Sequence, residues 1–220
     1  ATDTAALDTT AAITVSLDDV NGGNVATAPI TGTTNGVEAG QTVTLQVTDG
    51  TATVTVAAVV NPDGSYNTTA DLSGLADGPL TVTATVSDTA GNPATATDTA
   101  ALDTTAAITV SLEDVNSGNA AAAPIAGTTT GVEAGPTVTL QITDGTATVT
   151  VTAIVNPDGS YSTTADLSGL ADGPLTVTAT VSDTAGNPAS ATDTAALDTS
   201  AAITVSLDDV NSGNVAAAPI

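Results

Sequence analysis

The chain repeats itself with a period of 95 residues, and this repeat limits the folds that it can adopt. The segment ATDTAALDT begins at Ala1, Ala96 and Ala191. The two full periods are identical at 82 of their 95 positions. A period of this length exceeds the roughly 20–50 residues of solenoid repeats and fits whole domains in tandem. The expected boundaries are the strand and linker that end a preceding repeat at 1–10, complete domains at 11–105 and 106–200, and the opening strand of a third repeat at 201–220.

Within each repeat, apolar residues alternate with threonine and serine at a period of two. This pattern is typical of β-strands with one buried face, and Val, Ile and Thr suit a pleated surface. Turn signals separate the alternating runs; among them, Asp49-Gly50 predicts a tight hairpin. Seven short strands in one repeat indicate an all-β, immunoglobulin-like β-sandwich, and tandem copies predict an extended rod. The predicted strands of the first repeat are 13–17, 28–34, 42–48, 51–60, 65–72, 80–87 and 94–102, with one helical turn expected within 73–79.

The charge composition argues against several classes of function. The 220 residues include 24 acidic groups and no Lys, Arg or His, so the formal net charge is −24. Nucleic acids and anionic membrane surfaces would repel such a chain, so neither is an expected partner. General acid–base catalysis at neutral pH usually draws on His or Lys, so we do not expect an enzyme. Because the chain has no cysteine, bound cations are the expected stabilising element of an extracellular protein.

Acidic side chains concentrate in the loops that are expected to meet where one domain follows another. Like charges crowded together without basic partners are unfavourable unless a cation binds or solvent screens them. Calcium suits such a place, because it takes roughly six to eight oxygen ligands from carboxylates, carbonyls and water. Calcium is therefore the predicted cofactor. The leading predicted ligands are Asp103, Asp183 and Glu133, followed by Asp98 and Asp114.

A structural role in turns is the alternative for many of these acids. Asp-Gly and Pro-Asp-Gly form turns whatever their charge. For Asp88 and Asp183, both in the motif SDTAGN, the alternative is a hydrogen bond to the backbone of their own turn. The turn role applies most to the acids that recur in both repeats next to glycine: Asp49, Asp63, Asp77, Asp144, Asp158 and Asp172.

The run TVTATVSDTAGNPATATDTAALDTTAAITV resembles the tandem bacterial Ig-like repeats of giant secreted adhesins, which include biofilm-associated and RTX-type proteins. In that family TDTAGN is followed by a VDTTAP-like linker, and the corresponding motifs here are SDTAGN and LDTTAA. Ala106 stands where the family has proline, which removes a rigid residue from the linker. The resemblance implies calcium at the domain junctions, which stiffens the chain. Carried over residue by residue, the family's linker aspartate falls on Asp8, Asp103 and Asp198, and its loop aspartate falls on Asp88 and Asp183. Asp8, Asp88 and Asp198 thus join the predicted ligands, which also include Glu38, the copy of Glu133 in the first repeat.

Two functions of different classes follow from these observations. The first is an extender or stalk of a bacterial surface adhesin or extracellular fibre, stiffened by calcium between neighbouring repeats and supporting cell adhesion or biofilm formation. The alternative is that the repeats themselves bind a glycan, ice or a cell-surface ligand. The residues at 201–220 are also expected to be able to complete another copy by strand addition, because an unpaired strand is a template for pairing.

Overall fold

The computed structural model describes residues 7–206, which form two β-sandwiches of the same architecture, one in each repeat. The strands of the first are Ala12–Ile13 (β1), Ser16–Leu17 (β2), Val20–Asn21 (β3), Ala28–Asn35 (β4), Thr42–Thr48 (β5), Thr53–Val59 (β6), Ser65–Ala70 (β7), Gly78–Ser87 (β8) and Pro93–Asp103 (β9). Those of the second are Ala107–Ile108 (β10), Ser111–Leu112 (β11), Val115–Asn116 (β12), Ala123–Thr130 (β13), Thr137–Thr143 (β14), Thr148–Ile154 (β15), Ser160–Ala165 (β16), Gly173–Ser182 (β17) and Pro188–Asp198 (β18). Short 3-10 helices lie at Val25–Thr27 and Ala120–Ala122.

Each sandwich consists of a four-stranded and a five-stranded sheet. In the first repeat, β1, β2 and β7 pair with β4, while the other sheet has the order β3-β9-β8-β5-β6. The second repeat has the same order, with β10, β11 and β16 on β13 and β12-β18-β17-β14-β15 opposite. Each repeat has its own hydrophobic core of Val, Ile, Leu, Ala and one Tyr. This architecture confirms the predicted all-β, immunoglobulin-like sandwich.

The structure matches most of the predicted strands and corrects three local expectations. Strand β5 has the predicted bounds, but the single first strand expected at 13–17 is divided into β1 and β2. The hairpin between β5 and β6 is not tight: its loop has four residues, and Asp49 Oδ1 accepts the backbone N–H groups of Thr51 (2.8 Å) and Ala52 (2.7 Å). The 3-10 helix precedes β4, whereas the segment 73–79 expected to be helical contains only turns.

The division of the first strand coincides with a contact made by the only tyrosine of the repeat. Tyr66 is 1 % exposed, and its hydroxyl donates a hydrogen bond to the carbonyl oxygen of Thr14, between β1 and β2. Gly32 of β4 lies against both groups, so that a side chain there would overlap them. Tyr161, Thr109 and Gly127 repeat this arrangement in the second domain. The two tyrosines are therefore core residues.

Burial raises the pKa of Tyr66 and of Tyr161 to about 12. An unfolded tyrosine loses its proton near pH 10, so the folded state binds more protons than the unfolded state above that pH. This contribution to stability is present below about pH 10 and is lost as the pH rises towards 12. We expect tyrosinate absorbance to appear near pH 12, or together with loss of the β-sheet circular dichroism. A titration midpoint near pH 10 in a chain that is still folded would contradict this.

The opening segment of each repeat is held to the last strand by one parallel strand pair and two carboxylates. Val20 of β3 pairs in parallel with Leu102 of β9, in an otherwise antiparallel sandwich. Asp98 Oδ2 accepts the N–H of Leu17 (3.0 Å). Asp19 Oδ1 accepts the N–H of Ala101 (2.7 Å). The equivalent bonds of the second repeat join Asp193 Oδ2 to Leu112 N (3.0 Å) and Asp114 Oδ1 to Ala196 N (2.8 Å).

Two predictions concern the ends of the chain. Residues 1–6 and 207–220 lie outside the described residues, and 201–206 contain no strand. The opening strand of a third repeat and strand addition through 201–220 therefore stay predictions. Within residues 7–206, none of the helices has the length and apolar character needed to cross a bilayer.

Candidate interdomain joint and cation site

Three hydrogen bonds connect the first domain, at the end where β3 and β9 finish, to the turn between β17 and β18 of the second domain. Asn21 Nδ2 donates to the carbonyl oxygen of Ala185 (2.7 Å), and the N–H of Gly22 donates to Asn187 Oδ1 (2.8 Å). Asn187 Nδ2 donates to the carbonyl oxygen of Asp103 (2.9 Å). Asn21 and Asp103 are themselves paired at the ends of β3 and β9. We call these five residues the joint.

Asp183 holds Asn187 in the position that the joint requires. Its side chain is 6 % exposed, and its two carboxylate oxygens accept the backbone N–H of Asn187 (2.7 Å) and its Nδ2 (2.7 Å). Burial raises the pKa of Asp183, but the hydrogen bonds from Asn187 and the turn outweigh it, so this pKa lies below its ordinary value. The structure thus confirms that Asp183 bonds the backbone of its own turn, which was the alternative to a ligand role.

Glycine at position 22 permits the close approach of the two repeats. A Cβ built there would lie 3.1 Å from Asn187 Oδ1 and 3.4 Å from the carbonyl oxygen of Thr104. A larger residue would therefore require one of these groups to move. The corresponding position of the second repeat is Ser117.

Carboxylates from both repeats surround a small cavity beside the joint. Asp19 and Asp103 of the first repeat and Glu133 of the second line this space of about 290 Å³, together with Thr184. Glu133 Oε2 accepts the N–H of Thr184 (3.1 Å). Its own backbone N–H, followed by the hydrogen bonds from Thr184, lowers the pKa of Glu133, while the nearby charge of Asp183 opposes this shift. Acids of both domains thus meet without a basic partner.

These residues fit a hard cation by their chemistry, although they are not gathered around one point. Carboxylate, hydroxyl and carbonyl oxygens are the ligands that calcium prefers. Within residues 7–206, no three acidic side chains are arranged as a ready metal site. One oxygen of Asp103 accepts the N–H of Thr105 (3.3 Å), and one of Asp19 is bound to Ala101 N. Side-chain rotation of Asp19, Asp103 and Glu133 would be needed to complete a shell.

Two of the predicted ligands lie elsewhere. Asp98 is five residues before Asp103 on β9, which is about 16 Å along an extended strand, and its carboxylate is bound to Leu17 N. Asp114 lies at the opposite end of the second repeat, where its carboxylate accepts the N–H of Ala196 near Asp198. This corrects the grouping of Asp98 and Asp114 with Asp103, because neither reaches the joint.

The remaining predicted residues reproduce half of the joint at the start of the first repeat. Asn92 Nδ2 donates to Asp88 Oδ2 (2.6 Å) and to the carbonyl oxygen of Asp8 (3.2 Å). Glu38 Oε2 accepts the N–H of Thr89 (3.0 Å). Hydrogen bonds, first of all the one from Asn92, lower the pKa of Asp88. These residues offer matched controls for the joint.

The linker is tethered by an aspartate that the sequence assigned only to a turn. Asp77 accepts hydrogen bonds from the hydroxyl groups of Thr104 (2.9 Å) and Thr105 (3.3 Å). Ala106, where the resembling family has proline, is half-buried and packs against the second core. Side-chain hydrogen bonds therefore restrain the linker that lacks proline.

The asparagines that connect the repeats were not predicted from the sequence. The prediction from SDTAGN concerned its aspartate, whereas the asparagine of the same motif, Asn187, makes the contacts to the first repeat. Asn21 lies in the run DDVNGGN, which is typical of a turn. Nothing in the local sequence pattern distinguishes an asparagine that binds a neighbouring domain from one that caps a turn.

Comparison with known proteins gives structural neighbours only, since no family model and no curated protein matches the chain. A solved tetra-tandem repeat from the extending region of a large adhesion protein is 39% identical, covering 86% of this chain and 50% of that one, with a TM-score of 0.45. Several of the structural neighbours are repeats or immunoglobulin-like domains of large bacterial adhesins. This confirms the resemblance inferred from the sequence. The present chain spans half the length of that tandem structure.

Two further adhesin structures extend the comparison. A Ca2+-stabilized adhesin that helps an Antarctic bacterium reach out and bind ice is 30% identical, over 96% of this chain and 55% of that one, with a TM-score of 0.48. A bacterial immunoglobulin-like domain from the M. primoryensis ice-binding adhesin is 29% identical, over 44% of this chain and 100% of that one, with a TM-score of 0.33.

Proposed function

We propose that this chain is a run of extender repeats from a large bacterial surface adhesin or extracellular fibre, and that it acts by spacing rather than catalysis. The joint supports this proposal, because Asn21, Gly22 and Asp103 bind the turn of the next repeat through three hydrogen bonds. Such bonds restrict the angle between neighbours, so a row of repeats extends as a rod. The partners of each repeat are its neighbours in the same chain, and the array would project other modules from the bacterial surface.

We further propose that calcium binds beside the joint and stiffens it. Asp19, Asp103 and Glu133 line one cavity, and the net charge of −24 leaves them without a basic partner. A divalent cation between them would remove their repulsion and link both repeats. The Ca2+-stabilized adhesin among the structural neighbours agrees with this choice of cation. The half-joint of Asp8, Glu38 and Asp88, and Asp198 at the other end, would contribute to the adjoining junctions.

Calcium is expected to stabilise and stiffen the chain. At a calcium concentration 100-fold above Kd, binding to the folded state contributes about 2.7 kcal/mol. For a chain of this size, that corresponds to a rise in melting temperature of roughly 5 to 10 °C. Differential scanning calorimetry and small-angle X-ray scattering in calcium, magnesium and chelator measure the two effects. In calcium, the chain should show a better-defined maximum dimension and lower flexibility than in chelator.

The double variant Asp103→Asn, Glu133→Gln removes two charges from the cavity beside the joint while keeping similar side-chain shapes. Its matched control is Asp8→Asn, Glu38→Gln, which changes the equivalent residues at the other end of the first repeat. The first variant should lose the stiffening by calcium, and the control should retain it. Identical scattering of the unmodified chain in calcium and in chelator would refute the cation proposal.

Direct binding of a glycan, ice or cell surface is the alternative. Sugar sites favour exposed aromatic rings, but the two tyrosines, the only aromatic residues of the chain, are each 1 % exposed. A glycan array probed with the whole chain distinguishes the two functions, because an extender predicts no signal above background.

A further inference from the structure

The joint contains a peptide sequence that is chemically prone to modification. Asparagine side chains can be attacked by the backbone nitrogen of the next residue, and glycine there hinders the attack least because it has no side chain and a flexible backbone. Asn21 is followed by Gly22, whereas its counterpart Asn116 is followed by Ser117. The reactive pair Asn21-Gly22 therefore lies at the joint between the two described repeats, and the less reactive pair Asn116-Ser117 stands at the equivalent position of the second repeat.

The reaction needs only water as co-reactant. The nitrogen of Gly22 forms a bond to Cγ of Asn21, the Cγ–Nδ2 bond breaks, and the leaving group takes up the nitrogen's proton as ammonia. Water then opens the cyclic imide at either carbonyl. Opening at one carbonyl gives aspartate, and opening at the other gives isoaspartate, in which the main chain runs through the former side chain. No oxidant or reductant takes part.

The closed joint holds both reacting groups away from this reaction. The N–H of Gly22, which must attack, is bound to Asn187 Oδ1 (2.8 Å). The amide that would be attacked is fixed at both ends, since Asn21 Oδ1 accepts the N–H of Gly23 (2.8 Å) and Nδ2 donates to Ala185 O (2.7 Å). Two of these three bonds come from the second repeat. Opening the joint would release the nucleophile and one end of the amide together.

We propose that Asn21 is a deamidation site that the closed joint protects, and that its modification prevents the joint from closing again. The proposal depends on the hydrogen bonds between the repeats and not on a bound cation. Deamidation at Asn21 would therefore accumulate with the time that the joint spends open, because each opening exposes Asn21 to an irreversible change.

The product is incompatible with the closed joint for three reasons. Replacing the amide by a carboxylate removes the donor to Ala185 and places an oxygen against that carbonyl oxygen. It also adds a negative charge close to Asp103, the strand partner of Asn21, beside the cavity that Asp19 and Glu133 line. Isoaspartate further inserts a methylene group into the backbone of β3, where Asn21 is paired with Asp103.

Ageing the whole chain at mildly alkaline pH, followed by peptide mass spectrometry, tests the protection. The rate at Asn21 is compared with that at Asn35, which is also followed by glycine but is exposed and away from the joint. Each rate is divided by the rate at the same site in the urea-unfolded chain. Samples are aged in calcium and in chelator. We expect Asn21 to be protected more strongly than Asn35 in at least one of these conditions.

The variant Asn187→Ala removes two hydrogen bonds of the joint, and Asn92→Ala makes the same change in the first repeat, where no contact to Asn21 is involved. Asn187→Ala should raise the rate at Asn21 by at least about fivefold, the factor expected from losing a single hydrogen bond. Asn92→Ala should leave it unchanged. Equal rates at Asn21 in the two variants, or no protection relative to Asn35 in either buffer, would overturn the proposal.

The consequence of modification is tested separately with Asn21→Asp, which mimics one product. This variant should show greater interdomain flexibility in small-angle scattering than the unmodified chain, while Asn116→Asp, the same change at the far end of the second repeat, should not. Unaltered scattering of Asn21→Asp would overturn the claim that modification opens the joint. Each domain's own folding is followed by circular dichroism.

Discussion

Gly32→Ala is expected to lower the stability of the first domain by about 3 kcal/mol, or its melting temperature by roughly 12 to 24 °C. The added methyl group would overlap the carbonyl oxygen of Thr14 and the hydroxyl end of Tyr66. Both are fixed: the first belongs to the backbone, and the second is at the end of a buried ring. Either β4 shifts or the Tyr66–Thr14 hydrogen bond is lost, and the buried groups are left without partners. Differential scanning calorimetry measures the effect.

The duplicated sequence provides the control for this prediction. Gly127→Ala should destabilise the second domain by a similar amount, so either variant should split the unfolding trace into two transitions. Gly74→Ala changes a glycine of the first domain that has no atom within 4 Å of a built Cβ. It is expected to stay within about 0.5 kcal/mol of the unmodified chain. If Gly32→Ala and Gly74→Ala melt alike, the tight packing around Tyr66 is refuted.

Asp183→Ala is expected to lower the melting temperature of the second domain by roughly 5 to 15 °C and to open the joint. The substitution leaves two donors of Asn187 without the carboxylate that accepts them. Asn187 is then free to leave the position in which it binds Gly22 and Asp103. Calorimetry reports the loss of stability, and small-angle scattering reports the opening.

Asp88→Ala separates these two effects. Asp88 accepts the same two hydrogen bonds from Asn92 (2.8 and 2.6 Å) and is 5 % exposed, nearly the same as Asp183. It lies at the opposite end of the first repeat from the joint, so its loss should destabilise the first domain without changing the scattering. A change of flexibility in both variants, or in neither, would mean that Asp183 does not act through the joint.

The strands could be predicted where local sequence alone determines them. Strand β5 has its predicted bounds because seven alternating residues lie between a glycine loop and Asp49-Gly50. The first strand could not be predicted in full, since its division coincides with the hydrogen bond of Tyr66, which reaches Thr14 across 52 positions of sequence. Asp49-Gly50 predicted a turn correctly but not its length. The carboxylate of Asp49 stabilises a longer loop, because it accepts hydrogen bonds from two N–H groups of that loop and from the N–H of Ala76 (2.9 Å) in a distant loop.

Two of the three acids at the cavity, Asp103 and Glu133, were predicted from the sequence, and the third, Asp19, was not. The repeat period and the loop positions of Asp103 and Glu133 were enough to place them beside one another. Asp114 does not join them, because β12, which follows it directly, pairs with the end of β18 at the far end of the second domain. The contacts of Asn21 with Ala185, 164 positions away, depend on how two folded domains meet. Alternation within one domain contains no information about that arrangement.

The parallel pairing of β3 with β9 determines how each domain would respond to pulling. Both strands run from the entry of the domain towards its exit, so tension along the chain draws them in opposite directions past each other. The β3–β9 pair and the bonds of Asp98 to Leu17 and Asp19 to Ala101 would then be sheared at the same moment, not peeled apart in turn. A domain loaded in this way gives way only when several bonds fail together. Two aspartate side chains thereby carry mechanical load in a chain that has no disulfide to do so.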